Sequence, residues 1–140
     1  MNRSANAVWK GGLKDGKGTV STASGVLKSV AYDFKQRFEN DPGTNPEELI
    51  AAAHAACFSM ALSGQLAAAG MTADSIETTA TVSLEKGDAG FSVTESHLET
   101  TVKIPNADKA KFETAVQNAK TGCPISKLLN TKITLDAKLM

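Results

Sequence analysis

Residues 45–70 read NPEELIAAAHAACFSMALSGQLAAAG, and this segment sets the architecture of the chain because it predicts one long helix. Asn45 can cap the helix, Pro46 suits its first position, and Glu48 completes a capping box. No proline or glycine pair interrupts the segment before Gly70, which suits the left-handed position after a helix end. We therefore expect the helix to run to Ala69, a length of about 36 Å.

One face of this helix carries mainly small side chains. They recur at helical spacing in the series Leu49, Ala53, Cys57, Met60 and Gly64, with Ala52 and Ala56 alongside. We expect this stripe to be the buried face, because small residues allow a second helix to approach closely.

Strand patterns lie on both sides of the long helix. Before it, residues 7–9, 19–22 and 30–34 predict an antiparallel meander with glycine turns. After it, residues 76–84 and 91–104 predict a long hairpin that turns at 86–90. A helix opening at Pro105-Asn106, a short helix from Pro124 to about Leu129, and a strand over 133–139 complete the chain. This order predicts a single α+β domain, residues 1–140, with antiparallel sheets around a long central helix.

Composition excludes several partners. The 15 basic and 15 acidic residues are scattered and form no basic stripe, so we expect no nucleic-acid binding. The longest apolar stretch, from Leu49 to Leu62, is shorter than the roughly 20 residues that cross a bilayer, so no membrane span is expected. The first residues, MNRSANAVWKGG, lack the features of a secretory signal, and a cytoplasmic protein is expected.

The two cysteines, Cys57 and Cys123, are the main candidates for chemistry. In a reducing compartment they are expected to be free, catalytic or metal-binding rather than a permanent disulfide, although inert buried thiols are the alternative. There is no C-x-x-C or H-E-x-x-H motif, and His54 and His97 are the only histidines. We therefore expect no metal site.

Cys57 lies near the middle of its predicted helix, where the helix dipole does little to favour a thiolate. A reactive Cys57 therefore needs a cation from elsewhere. Arg37, within the sequence Phe34-Lys35-Gln36-Arg37-Phe38, is the candidate, although a surface arginine bonded to Glu39 or Asp33 is the alternative. A thiol–imidazole pair with His54, three residues before Cys57, is a second option beside a locally hydrogen-bonded histidine.

Cys123 has a different setting. In Gly122-Cys123-Pro124 it lies where a helix begins, and free backbone N–H groups there favour a sulfur anion. If exposed, Cys123 is expected to be a good leaving thiol.

Three motifs carry a family resemblance: GTNPEEL at 43–49, AAHAACFSM at 52–60 and GCPIS at 122–126. Together they resemble the osmotically inducible protein C (OsmC) and organic hydroperoxide resistance (Ohr) family, over essentially the whole chain. The histidine within Ala53-His54-Ala55 and the arginine after the early strands resemble the OsmC branch.

The resemblance implies an OsmC-like fold, an intertwined homodimer and two active sites at the subunit interface. It implies that Cys57 is the peroxidatic cysteine, Cys123 the resolving cysteine, and Arg37 and Glu47 the activating pair. In that cycle Cys57 reduces a hydroperoxide to an alcohol, becomes a sulfenic acid and then forms a disulfide with Cys123. No metal, flavin or haem is required, and dihydrolipoamide or a lipoylated protein would be the reductant.

The spacing of Glu47 and Cys57 adds one hypothesis. They are ten positions apart, about 15 Å along a straight helix, so they cannot touch within one helix. If two copies of the helix cross antiparallel near Ala52, Glu47 of one copy approaches Cys57 of the other.

Apolar residues neighbour the candidate site positions in sequence: Phe34, Phe38, Phe58, Ile125 and Leu128. They predict an apolar substrate pocket that favours alkyl or lipid hydroperoxides over hydrogen peroxide, with ordinary core packing as the alternative. Two other functions stay open: a thiol redox sensor, and a non-catalytic dimer that binds a small ligand.

Overall fold

The computed structural model describes all residues from Met1 to Met140, and its contacts divide the chain into two compact units. Unit 1 covers residues 1–49 and unit 2 covers residues 50–140. The single domain over residues 1–140 stays a prediction from the sequence.

Unit 1 is built on a three-stranded sheet. Strands β1 (Ala5–Lys10), β2 (Lys17–Thr22) and β3 (Val30–Tyr32) pair antiparallel in that order, which confirms the predicted meander. The last strand is shorter than predicted, because Asp33 ends it and caps helix α1 (Phe34–Phe38). The Asp33 carboxylate accepts a hydrogen bond from the Gln36 backbone N–H, a normal N-cap that the sequence analysis missed.

The long helix, α2 (Pro46–Ala68), begins as predicted and ends one residue before the predicted Ala69. The Asn45 side chain accepts a hydrogen bond from the Glu48 N–H at 2.8 Å, and Gly70 has a positive φ of 79°. Helix α2 has 23 residues and is apolar enough to cross a membrane by length and composition alone. This differs from the sequence-based expectation, which considered only the apolar stretch from Leu49 to Leu62 and predicted no membrane span. Core helices meet the same criterion, however, and α2 buries Phe58, Leu62 and Leu66 in the core of unit 2.

The predicted buried face of α2 was wrong. The buried residues are His54, Phe58, Leu62 and Leu66, which follow each other at intervals of four. The small-residue stripe lies mostly outside, and Met60 within it is 79% exposed in the single chain. Large side chains bury more apolar area than alanines do, so they take the core side and leave the small ones uncovered.

Unit 2 contains the second sheet. Strands β4 (Ser75–Gly87) and β5 (Gly90–Lys103) form the predicted antiparallel hairpin, with a bulge near Ser83. Strand β6 (Lys132–Leu139) pairs with β5 in parallel, so the expectation of purely antiparallel sheets was wrong. The reason is the long connection over residues 104–131, which contains two helices and lets the chain return to the same end of the sheet.

These two helices complete unit 2. Helix α3 (Lys109–Gly122) starts later than predicted, because Asp108 caps it and Asn106 has a positive φ of 55°, which ends the preceding strand in a turn. Helix α4 (Pro124–Leu128) follows after a single residue, Cys123. The core of unit 2 joins residues from α2, β5 and α3: Phe58, Leu62, Leu66, Leu98, Val102, Phe112, Val116 and Ala119.

Candidate active site

The two cysteines meet in unit 2. The Cys123 thiol points at the sulfur of Cys57, and the two Sγ atoms are 2.6 Å apart, although both cysteines are free. A disulfide bond is about 2.05 Å long, so these atoms are already within reach of one another. Of the two, Cys57 is partly accessible and Cys123 is buried.

Local backbone chemistry places Cys123. Its N–H bonds to the Ala119 carbonyl and closes α3, and its own carbonyl accepts the Lys127 N–H at the start of α4. Pro124 cannot continue α3, because it lacks an N–H and forces an extended conformation on the residue before it. Cys123 accordingly has a ψ of 127°. The predicted position where a helix begins is confirmed, whereas the exposure that would make it a good leaving thiol is absent in the single chain.

The surroundings of Cys57 favour its neutral thiol. Burial raises its pKa, and the hydrogen-bonded contact with a second ionisable thiol, Cys123, raises it further. A backbone hydrogen bond from Ile125 opposes this shift by stabilising the thiolate. No cation is among the groups that shift this pKa, so the need of a reactive Cys57 for a cation from elsewhere stays a prediction.

Unit 1 holds an ion pair between Arg37 on α1 and Glu47 in the first turn of α2. Arg37 Nη2 and Nε donate to the Glu47 carboxylate at 2.8 and 3.2 Å. Arg37 also stacks over the Phe38 ring, 5.2 Å from its centroid. The alternative that Arg37 bonds to Asp33 or Glu39 was wrong, since its guanidinium bonds to Glu47, while the Asp33 carboxylate caps α1 and pairs with Lys17. Arg37 Nη1 has no protein partner and is available to a ligand.

The predicted pocket residues divide between the two units. In unit 1, Phe34 and Phe38 line a cavity of about 300 Å³ together with Trp9, Leu13, Tyr32, Asp33 and Arg37. In unit 2, Phe58 is 0% exposed within the core and has no surface for a ligand, whereas Leu128 is largely exposed and Ile125 is half-buried. Unit 1 thus supplies an aromatic cavity beside the free edge of the guanidinium.

His54 does not contact Cys57. Its ring is fully buried, with Nδ1 2.6 Å from Ser96 Oγ and Nε2 2.8 Å from Ser126 Oγ. The thiol–imidazole option was therefore wrong. Burial lowers the pKa of His54, so the imidazole is kept neutral. The histidine could be singled out from the sequence but neither serine could, because both are far from it in the chain.

One group of possible metal ligands lies away from the cysteines, on the outer face of the second sheet. His97 Nε2 is 3.2 Å from Asp136 and 3.9 Å from Glu99, and its Nδ1 bonds to Thr134. Both carboxylates are mostly exposed, and such pairs are common on protein surfaces without a metal.

Comparison of the sequence and the fold with known proteins identifies the family of this chain. The family model described as OsmC-like protein matches residues 38–138. The chain belongs to the OsmC-like family. A peroxiredoxin OsmC from Escherichia coli strain K12 is 55% identical over 139 residues, covering 99% of this chain and 97% of the relative. The organic hydroperoxide resistance protein OhrB of Bacillus subtilis strain 168 is 32% identical, covering 87% of each chain.

The crystal structure of that B. subtilis protein matches this OsmC-like chain with a TM-score of 0.68 and 28% identity, covering 98% of each. The α+β fold and the predicted family are thus confirmed, and the higher identity lies on the OsmC side.

Proposed function

We propose that the chain is a cysteine-based peroxidase that reduces organic hydroperoxides to alcohols and, more weakly, hydrogen peroxide to water. The observation that carries this proposal is the 2.6 Å separation of the Cys57 and Cys123 sulfurs. Such proximity suits a thiol that is oxidised and a second thiol that resolves it. The named functions of the relatives, a peroxiredoxin and a hydroperoxide resistance protein, support the same chemistry.

In the proposed cycle, the Cys57 thiolate attacks the terminal oxygen of ROOH. The O–O bond breaks, the alkoxide takes up a proton and leaves as ROH, and Cys57 becomes a sulfenic acid. The Cys123 thiol then attacks that sulfur, which forms the Cys57–Cys123 disulfide and releases water. A dithiol, which we propose is dihydrolipoamide or a lipoylated protein, returns both sulfurs to thiols by exchange. On the protein only sulfur changes oxidation state as the peroxide oxygens are reduced, so no bound cofactor is needed.

Arg37 is the proposed cation for the thiolate. Glu47 holds the Nε–Nη2 edge of its guanidinium and Phe38 holds its face, so the side chain is fixed while Nη1 stays free. A guanidinium fixed in this way can donate to a thiolate or to a peroxide oxygen. Its charge would offset the effect of burial on the pKa of Cys57.

We propose that the complete site requires a second copy of the chain. Helix α2 carries Glu47 in its first turn and Cys57 near its middle, about 15 Å apart along the helix axis. Its uncovered stripe includes Ala52, Ala56 and Met60. Two such stripes crossing near Ala52 would cover each other and bring Glu47 of one copy to Cys57 of the other.

Mixed dimers of Glu47→Ala and Cys57→Ser chains test this arrangement. If Glu47 acts on the other copy, one site of the mixed dimer is doubly inactivated and the other is intact. The mixed dimer is then expected to have about half of the wild-type activity, while each parent dimer is impaired. A mixed dimer as impaired as its parents would instead assign Glu47 to the cysteine of its own chain.

The Cys123→Ser variant tests the cycle itself. Because it can form the sulfenic acid but not the disulfide, it is expected to consume about one peroxide per chain and then slow, with further oxidation to sulfinic acid. Wild type is expected to turn over repeatedly with dihydrolipoamide, which also separates a peroxidase from a redox sensor. Equal steady-state rates in the two proteins would show that Cys123 is not the resolving thiol.

Substrate preference follows from the aromatic cavity in unit 1. Phe34→Ala removes one wall of it, so we expect kcat/KM for cumene hydroperoxide to fall about tenfold, because an organic tail would lose roughly 1–2 kcal/mol of apolar contact. Hydrogen peroxide has no tail, and its reduction by the same variant is the control, expected to change less than about twofold. An equal loss with both peroxides would contradict an apolar pocket at this position.

We further propose that the protein acts in the cytoplasm. Both cysteines are free, and the proposed cycle depends on a dithiol that regenerates them.

A further inference from the structure

His54 joins three elements of unit 2. It lies on α2, its Nδ1 faces Ser96 on β5, and its Nε2 faces Ser126 on α4. All three side chains are buried. A neutral imidazole has one donor and one acceptor nitrogen, so one serine accepts a hydrogen bond from the ring and the other donates one to it. Both ring nitrogens are therefore used, and His54 cannot serve as a base for Cys57.

The bond to Ser126 lies directly beside the thiol site. On α2, His54 and Cys57 are neighbours, three residues apart on the helix surface. On α4, Ser126 follows Ile125, whose backbone N–H lowers the pKa of Cys57. Two adjacent residues of α4 thus act on two neighbouring residues of α2, Ser126 on His54 and Ile125 on Cys57.

Helix α4 depends on such contacts for its position. It has only five residues, from Pro124 to Leu128, and Leu128 at its end is exposed. A single helical turn is not stable by itself, so tertiary contacts must hold it. The hydrogen bond between His54 and Ser126 is a buried contact of this kind.

We propose that His54 is a positioning residue for the thiol pair: through Ser126 it holds the first turn of α4 against α2. This keeps the Ile125 N–H on the sulfur of Cys57 and the sulfur of Cys123 within bonding distance. The role of His54 in catalysis rests on the proposed peroxidase function, but its effect on the environment of Cys57 does not.

Two serine-to-alanine substitutions of equal size distinguish the positioning role of His54 from a general effect on the stability of the protein. Ser126→Ala removes the bond between His54 and α4, whereas Ser96→Ala removes the bond at the other end of the imidazole. Ser126→Thr keeps a hydroxyl and serves as the rescue variant. His54→Leu removes both bonds, and thermal unfolding of every variant records how much of each effect is lost stability.

The first readout is the thiolate of Cys57, measured in a Cys123→Ser background by the pH dependence of its alkylation with iodoacetamide. Ser126→Ala is expected to move the alkylation midpoint to higher pH, because the Ile125 N–H, which favours the Cys57 thiolate, is no longer held near it. Ser96→Ala is expected to leave it in place, and Ser126→Thr to restore it. This result does not require peroxidase activity.

The second readout is the rate of Cys57–Cys123 disulfide formation after one equivalent of cumene hydroperoxide, with both cysteines present. We expect Ser126→Ala to slow this step about tenfold and Ser96→Ala to slow it less than about twofold, since misplacing a reacting group is costly. Equal behaviour of the two alanine variants in both readouts would overturn the proposal. Failure of wild type to form the disulfide would contradict the proposed peroxidase function. The alkylation profiles would still show whether His54 positions the groups around Cys57.

Discussion

Cys57→Ser is expected to lose peroxidase activity by about 10⁴-fold or more, the effect of removing the nucleophile from an enzyme that works by covalent catalysis. A serine hydroxyl is not ionised near neutral pH, and its oxygen cannot be oxidised to an equivalent of the sulfenic acid. The measurement is consumption of cumene hydroperoxide with dihydrolipoamide as reductant.

The substitution changes one atom at a partly buried position, so the fold should survive and thermal unfolding can confirm it. Activity within about tenfold of wild type in a folded Cys57→Ser protein would mean that another group attacks the peroxide. The cysteines would then be structural, as in the alternative of a non-catalytic dimer.

Arg37→Ala is expected to lower kcat/KM by about 10²-fold, the usual cost of removing one fixed donor from a developing negative charge. Lys35→Ala, which removes a neighbouring exposed cation from the same helix, is the matched control and should change the rate little. Arg37→Lys should recover only part of the activity, because an ammonium cannot bind Glu47 by a planar edge and still present a free Nη1 group.

The pH dependence of the activity of Arg37→Ala is an independent measurement of the role of Arg37. Burial and the contact with Cys123 already raise the pKa of Cys57, and a cation lowers it by favouring the thiolate. Without Arg37 the pKa is expected to rise, so the rise in activity with pH should move to higher pH in Arg37→Ala. A profile with an unchanged midpoint would mean that Arg37 binds substrate without acting on the thiolate.

Local signals predicted the ends of the main elements well. The cap at Asn45, the stop at Gly70 and the hairpin between β4 and β5 all follow from residues within a few positions of each other. The Asp33 cap of α1 was missed because Phe34, the first residue of α1, fits the end of the preceding strand as well as the start of a helix.

Non-local contacts were harder to predict. The spacing of apolar residues on α2 fits two faces, and the choice between them depends on what packs against the helix, which periodicity does not reveal. The parallel pairing of β5 with β6 likewise depends on how α3 and α4 return the chain to the sheet. Both errors came from tertiary structure rather than from local propensity.

In the candidate site, too, the contacts between residues far apart in the chain could not be predicted from local patterns. The meeting of Cys57 with Cys123 came from the family resemblance, since 66 positions separate the two residues. Ser96 and Ser126 lie 42 and 72 positions from His54 and belong to no motif that identifies them. A buried histidine with both ring nitrogens satisfied can be recognised only once the chain is folded.

The central claim is that Cys57 and Cys123 form one redox centre, and mass spectrometry of the oxidised protein tests it most directly. Reduced protein is treated with one equivalent of cumene hydroperoxide, alkylated under denaturing conditions and digested without reductant. We expect a loss of two hydrogens per chain and a peptide in which Cys57 is joined to Cys123 of the same chain. Recovery of both cysteines as alkylated thiols, with the peroxide unconsumed, would contradict it.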